Sequence, residues 1–166
     1  MVAHNAAFDR PFLQRLVPRP FNWLCTLVDI DWTAHGFDIK NLNGLLGQFG
    51  WFRDQRAHRA GADVDALIGL LRQRLPSGRT VLGEAFERGS QPTWRFDAID
   101  SPFERKELLR DRGYRWNPAK KVWSREVTGE DHDAELTWLM DEVYVDSVGR
   151  APQVREVNWT TRYLDT

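Results

Sequence analysis

A Pro-Ser-Gly stop at positions 76–78, followed by Pro92, divides this 166-residue chain into two stretches with different hydrophobic rhythms. A domain boundary is expected between them, giving domains over 1–77 and 92–166. With 42% hydrophobic and 28% charged residues, both stretches read as globular. The net charge of -1 provides no global basic field to announce a nucleic-acid partner, although a local patch is compatible with it. The single cysteine, Cys25, excludes an internal disulfide framework and a cysteine-based zinc site, and fits a cytoplasmic location. No apolar run approaches the roughly 20 residues of a membrane span, so no membrane partner is expected.

In the first stretch, residues 2–5 read as the end of a strand. A helix is expected over about 9–16, with Pro11 in its first turn and Pro18 and Pro20 beyond its end. "FNWLCTLVDIDW" is apolar and β-prone and reads as an extended segment. "NLNGLLGQFG" reads as a short helix stopped near Gly50. "ADVDALIGLLRQRL" is the clearest helix, with Ala60, Val64, Leu67, Ile68, Leu71 and Leu75 at helical spacing.

The second stretch reads β-α-β-β-α-β, an α+β module. "TWRFDAI" alternates like a strand. "SPFERKELLRDRG" reads as a helix capped by Ser101, with Pro102 at its first position, Glu104 completing a capping box and Gly113 at its end. "YRWNPAKKVWSREV" reads as a hairpin turning at Asn117-Pro118. "EDHDAELTWLMDEVY" reads as a helix and "APQVREVNW" as a last strand.

Two carboxylates stand out. Asn5, Asp9, Phe12, Leu13 and Leu16 fall on one side of the first helix, so Asp9 shares a face with apolar residues. A lone carboxylate there is costly unless it is paired or bound to a metal, and helix capping is the alternative explanation. Asp63 stands at the edge of the second apolar stripe, and His58 precedes that helix. A first-turn acid favoured by the helix dipole and an ordinary surface histidine are the alternatives there.

Together the two stretches resemble the second and third motifs of the DEDDh-type 3′–5′ exonucleases, the RNase H-like superfamily that includes polymerase proofreading subunits and RNase T. The motif "AHNAxFDxxFL" is matched by "AHNAAFDRPFL" at 3–13, and "HRAxxDxxAL" by "HRAGADVDAL" at 58–67. "NLNGLLGQFG" between them is similar to the family's short helix. The resemblance covers about residues 1–75. It implies an α/β fold class: a partial RNase H-like exonuclease fold followed by the small α+β C-terminal module. It further implies Asp9 and Asp63 as metal ligands, His58 as general base, and Asn5 and Phe12 against the terminal nucleotide. The implied cofactors are Mg²⁺ or Mn²⁺, two ions roughly 4 Å apart in a complete site. The implied partner is nucleic acid, a single-stranded DNA 3′ end, with a polymerase or another replication or repair protein as a further partner.

The family's first motif, a D-x-E, has no counterpart before His4. The only D-x-E spacing is Asp133-Ala134-Glu135, which reads as solvated first-turn acids. The expectation is therefore a truncated exonuclease that is weakly active or inactive by itself. The alternative is a non-catalytic nucleic-acid-binding or polymerase-associated module.

In the second stretch, cations interleave with aromatics, a composition that suits a single strand with stacked bases. Arg115, Trp116, Lys121, Trp123 and Arg125 are the candidates. Strand alternation puts Lys121, Trp123 and Arg125 on one face, and the alternative is that Trp116 and Trp123 are core residues. The string "GYRWNPAKKVW" is also similar to a pattern in small modules of DNA-processing proteins, including the HARP module of annealing helicases.

Overall fold

The computed structural model describes residues 1–51, 60–145 and 149–164. Their elements are both helical and extended, and they form two compact units. The first comprises residues 1–91 and 159–164, the second residues 92–158. The boundary falls at Pro92, but residues 159–164 belong with the first unit and not with the module expected over 92–166.

In the first unit, β1 (Val2–Ala3) pairs in parallel with β2 (Leu24–Cys25). The extended segment expected over "FNWLCTLVDIDW" is thus realised at two residues only, because the chain turns immediately, Asp29 N–H bonding back to the Cys25 carbonyl. Helix α1 (Ala6–Leu16) begins three residues earlier than expected, so Pro11 lies inside it rather than in its first turn. A proline there removes the bond its N–H would have made to the carbonyl of Ala7. Helix α2 (Leu42–Gln48) is capped by Asn41, whose side chain accepts from the Gly44 N–H, and the chain leaves it through Gly50 at φ +78°. Only glycine enters that region without strain.

Helix α3 (Ala60–Arg72) forms as read, but its buried side is rotated. Ala66 and Leu70 are buried, whereas Val64 and Ile68 of the expected stripe are exposed. Gly69 explains the approach on that side, because a β-carbon there would collide with the Trp51 ring. Helix α4 (Val81–Ser90) occupies the interval read as a boundary. Thr80 caps it and Val81 and Ala85 are buried; its apolar spacing lies among too many Gly, Glu and Arg residues to stand out. Ile30, Trp32, Leu45, Leu46, Leu70 and Val81 share one core, while Ala3, Ala6, Trp23 and Cys25 form another.

The face of α1 that reaches the core is also not the apolar one. Ala6 and Arg10 are its buried residues, while Phe8, Phe12 and Leu16 are exposed. The guanidinium of Arg10 donates to the carbonyls of Arg162 and Thr160 and lies 5.9 Å from the Trp23 ring. Arg162 in turn donates to the carbonyls of Gly89 and Gln91. The buried Asp29 carboxylate accepts from the Cys25 N–H at 2.6 Å and from the Tyr163 hydroxyl at 2.6 Å, with the Arg162 guanidinium 3.7 Å away. Two arginines and one aspartate thereby hold residues 159–164 to the rest of the unit.

In the second unit, the strands β3 (Thr93–Ala98), β4 (Arg115–Asn117), β5 (Val122–Thr128) and β6 (Gln153–Val157) are antiparallel in the order β4-β5-β3-β6. Residues 101–113 form a 3₁₀ turn (Phe103–Arg105) running into α5 (Lys106–Asp111). Ser101 therefore does not serve as the expected cap, because the turn starts at Pro102 without a side-chain cap bond. Gly113, at φ +97°, ends the helix as read. Helix α6 (His132–Trp138) continues through a π turn (Leu139–Val143).

Direct opposition in an antiparallel ladder puts partners on one face. Phe96, Arg125 and Val154 thus share a face, and it carries the core with Leu109, Tyr114, Leu139 and Val143. Inside that core lies Glu135, 1% exposed. Its carboxylate accepts from Tyr114 Oη at 2.9 Å, Arg125 Nη1 at 2.6 Å and Arg112 Nε at 3.2 Å. Glu135 is therefore a buried structural acid, not the solvated first-turn residue expected of Asp133-Ala134-Glu135. Burial together with the Glu135 hydrogen bond and charge drives the Tyr114 hydroxyl far above its ordinary pKa, so it stays a donor.

Removing one member of such a network leaves buried charge unmatched. Glu135→Ala is expected to destabilise the second unit by about 3–5 kcal/mol. Urea unfolding followed by tryptophan fluorescence measures this, and a loss below about 1 kcal/mol would contradict the structural role.

Candidate functional site

The two motif acids stand at corresponding places on different helices. Asp9 lies in the first turn of α1 and Asp63 in the first turn of α3. Asp9 is half-buried and its carboxylate accepts no hydrogen bond from any described residue. Burial pushes its pKa up, against the opposing pull of His4. Asp63 is exposed and has interactions of its own. His58 lies outside the described residues.

His4 is fixed by two bonds, Nε2 donating to the Lys40 carbonyl at 2.8 Å and Nδ1 meeting Thr26 Oγ1 at 2.9 Å. A carbonyl only accepts, so Nε2 carries the hydrogen in the neutral ring. Burial lowers the His4 pKa, while the Lys40 bond and the nearby Asp9 carboxylate partly restore it. The histidine of the second motif thus braces the loop before α2 against Thr26, just after β2, and sets a titratable ring beside Asp9.

Asn5 occupies the N-cap position of α1 without a side-chain capping bond, and it is exposed. Phe12 is 56% exposed, its ring 5.4 Å from that of Phe8. Asn5, Asp9 and Phe12 therefore share one helix and are accessible or partly so.

The fit of a divalent cation can be tested on these donors. Asp9 offers hard carboxylate oxygen with no competing donor, which suits Mg²⁺ or Mn²⁺. Among the described residues, however, no group of three His, Cys, Asp or Glu gathers around one point. The donor type fits and the described donor set is incomplete.

The second-unit candidates divide differently from expectation. Trp123 and Arg125 lie on the helix-covered face, where Trp123 packs against the core and Arg125 is engaged by Glu135. That face is therefore not a free cationic surface, and Trp123 follows the core alternative. Lys121 sits in the hairpin turn at φ +51°, outside the strand. Trp116 is 48% exposed, with its ring 5.6 Å from that of Trp123. Arg115 is exposed, and its guanidinium has no ion pair or hydrogen bond among the described residues.

Arg115 opposes Ser124, which also opposes Asp97, so these residues lie on the sheet face away from Phe96. A cleft of about 630 Å³ opens on the β4-β5-β3 side, lined among others by Arg95, Arg115, Trp116, Asn117, Ser124 and Glu126. Arg95 Nε donates to Asp97 at 2.9 Å and its Nη2 to Ser124 Oγ at 3.0 Å. The polar parity Thr93-Arg95-Asp97 was the signal for this face, but only the pairing register shows which residues of the next strand join it.

Compared with known protein families, curated proteins and solved structures, the chain matches none.

The His4 shift has a definite sign. A ring held neutral by the fold contributes stability above about pH 6.5 that is lost as pH falls toward its lower folded-state pKa. The urea midpoint of the first unit is therefore expected to drop between pH 7 and pH 5, and His4→Gln to flatten that slope; an unchanged slope would contradict it. Asp9 has the opposite sign, since its raised pKa means that the charged form opposes folding at pH 7. Asp9→Asn is expected to leave stability unchanged or slightly raised, within about 0.5 kcal/mol after solvent screening. A loss above about 1 kcal/mol would give Asp9 a structural role instead.

Proposed function

We propose that the first unit carries part of a DEDDh-type 3′–5′ exonuclease site acting on nucleic-acid 3′ ends. The observation that carries the reading is Asp9: a half-buried carboxylate that no described residue satisfies, at the position the second motif assigns to a metal ligand. A carboxylate held at some cost to the fold and without a structural partner is a functional-site feature.

In this reading Asp9 and Asp63 hold divalent cations, with Asp9 as the part-desolvated ligand. When bound, the cations supply Lewis-acid stabilisation of charge on the phosphate. His58 takes the proton of the attacking water, a role suited to an imidazole that titrates near neutral pH. Asn5, its side chain not used in capping, presents an amide to the terminal nucleotide, and the exposed ring of Phe12 presents a stacking surface. The reaction is phosphodiester hydrolysis: water oxygen bonds to phosphorus, and the 3′-oxygen of the preceding nucleotide leaves with a proton. Asp9 and Asp63 are two of the four acids that the resemblance implies for a complete site.

The test is shortening of a 5′-labelled single strand in Mn²⁺. Slow, stepwise loss from the 3′ end is expected, abolished by chelation and by Asp9→Asn and reduced 100-fold or more by His58→Ala. No shortening above a protein-free control, or shortening that survives Asp9→Asn, would overturn the reading.

A further inference from the structure

We propose that the cleft at the free β4 edge of the sheet in the second unit is a binding site for single-stranded nucleic acid, with Arg115 as its phosphate contact and Trp116, from the opposite side of the edge strand, as its base platform. This site is separate from the acids of the first unit and stands independently of the exonuclease reading.

Charge points to the occupant. Arg95 is matched by Asp97, and Arg125 is committed to Glu135. Glu126, the acid lining the cleft, already accepts from the Thr93 hydroxyl. Arg115 is the cleft guanidinium without a partner among the described residues, and a planar five-donor fork is suited to phosphate oxygen. Its neighbour in sequence, Trp116, keeps 48% of its surface exposed on an edge strand. Trp116 opposes Trp123 and so leaves β4 on the other face from Arg115, and an unpaired guanidinium and a half-exposed ring on the two sides of one edge strand suit a single strand that crosses that edge. Asn117 and Ser124 add neutral hydrogen-bonding groups to the same wall. The volume, about 630 Å³, falls within the range of small-ligand sites and accommodates a nucleotide unit of a strand crossing the sheet edge.

A duplex is the weaker candidate, since its bases are stacked on each other and offer Trp116 no face. An acidic peptide would use Arg115 but gain nothing from the exposed indole.

The experiment is fluorescence anisotropy of the full chain with labelled ten-nucleotide oligo-dT and oligo-rU, in EDTA so that no cleavage occurs, at 20–200 mM salt (conditions on the order of those where phosphate contacts dominate). Binding of either oligomer is expected to weaken as salt rises. Arg115→Ala should weaken it about five- to tenfold and reduce the log–log salt slope by about 0.7, one phosphate contact on a single strand. Trp116→Ala should weaken it about tenfold or more with the slope unchanged. Arg110→Ala, an exposed cation on α5, is the control and should have little effect. Near-UV circular dichroism identifies a variant that has lost its fold, and Arg115→Lys then replaces Arg115→Ala, with retained slope and weaker binding expected. No binding at 20 mM salt, equal binding by the Arg115 and Trp116 variants, or equal loss in Arg110→Ala would each overturn the proposal. Because the assay excludes divalent ions, its failure leaves the exonuclease reading intact, and the converse holds.

Discussion

A charge taken out of water has to be matched, and each unit is organised around one place where that requirement is met. In the second, Glu135 gathers Tyr114, Arg112 and Arg125 from two other elements and so fixes the sheet, the end of α5 and α6 relative to each other. In the first, Arg10, Asp29 and Arg162 tie residues 159–164 to α1, the turn after β2 and the end of α4. Both networks satisfy most of their donors with backbone carbonyls or carboxylates. Arg10 Nε and Trp23 Nε1 have no acceptor among the described residues.

Against that rule Asp9 is the exception. The folded chain removes part of its hydration and returns no hydrogen bond from any described residue, only the electrostatic influence of His4. A residue with this profile reads poorly as a cap or as a core acid. It suits the proposed role of a cation ligand, the role that the resemblance of residues 3–13 implies. The same logic singles out Arg115, a cation beside others that are all engaged.

The sequence made local structure legible and burial much less so. The strand Thr93–Ala98, the hairpin and the β-α-β-β-α-β order follow from alternation and turn residues. The helices around α2 and α3 follow from spacing and caps. What escaped was set by tertiary contacts. The exposed side of α1 carries Phe8, Phe12 and Leu16 while Arg10 goes inside, because carbonyls near residue 160 supply the acceptors its guanidinium requires. No pattern within the eleven residues of α1 reports a carbonyl about 150 positions away. Glu135 was hidden for the same reason, since its three donors lie 10 to 23 residues away on other elements. Helix α4 was missed where Gly, Ser and Arg diluted its apolar face. At the site, Asn5, Asp9, Phe12, His58 and Asp63 came from motif resemblance, whereas the cleft of Arg95, Asn117 and Ser124 needed the strand register.

The account turns on the state of one carboxyl group. Carbon-13 NMR of the Asp9 side chain across a pH titration, with and without Mg²⁺, reads it directly. The pKa should lie above the ordinary aspartate value in the metal-free protein and fall when Mg²⁺ is added. A metal-free pKa at or below the ordinary value, or one that Mg²⁺ leaves unmoved, would contradict the claim that Asp9 is a desolvated cation ligand.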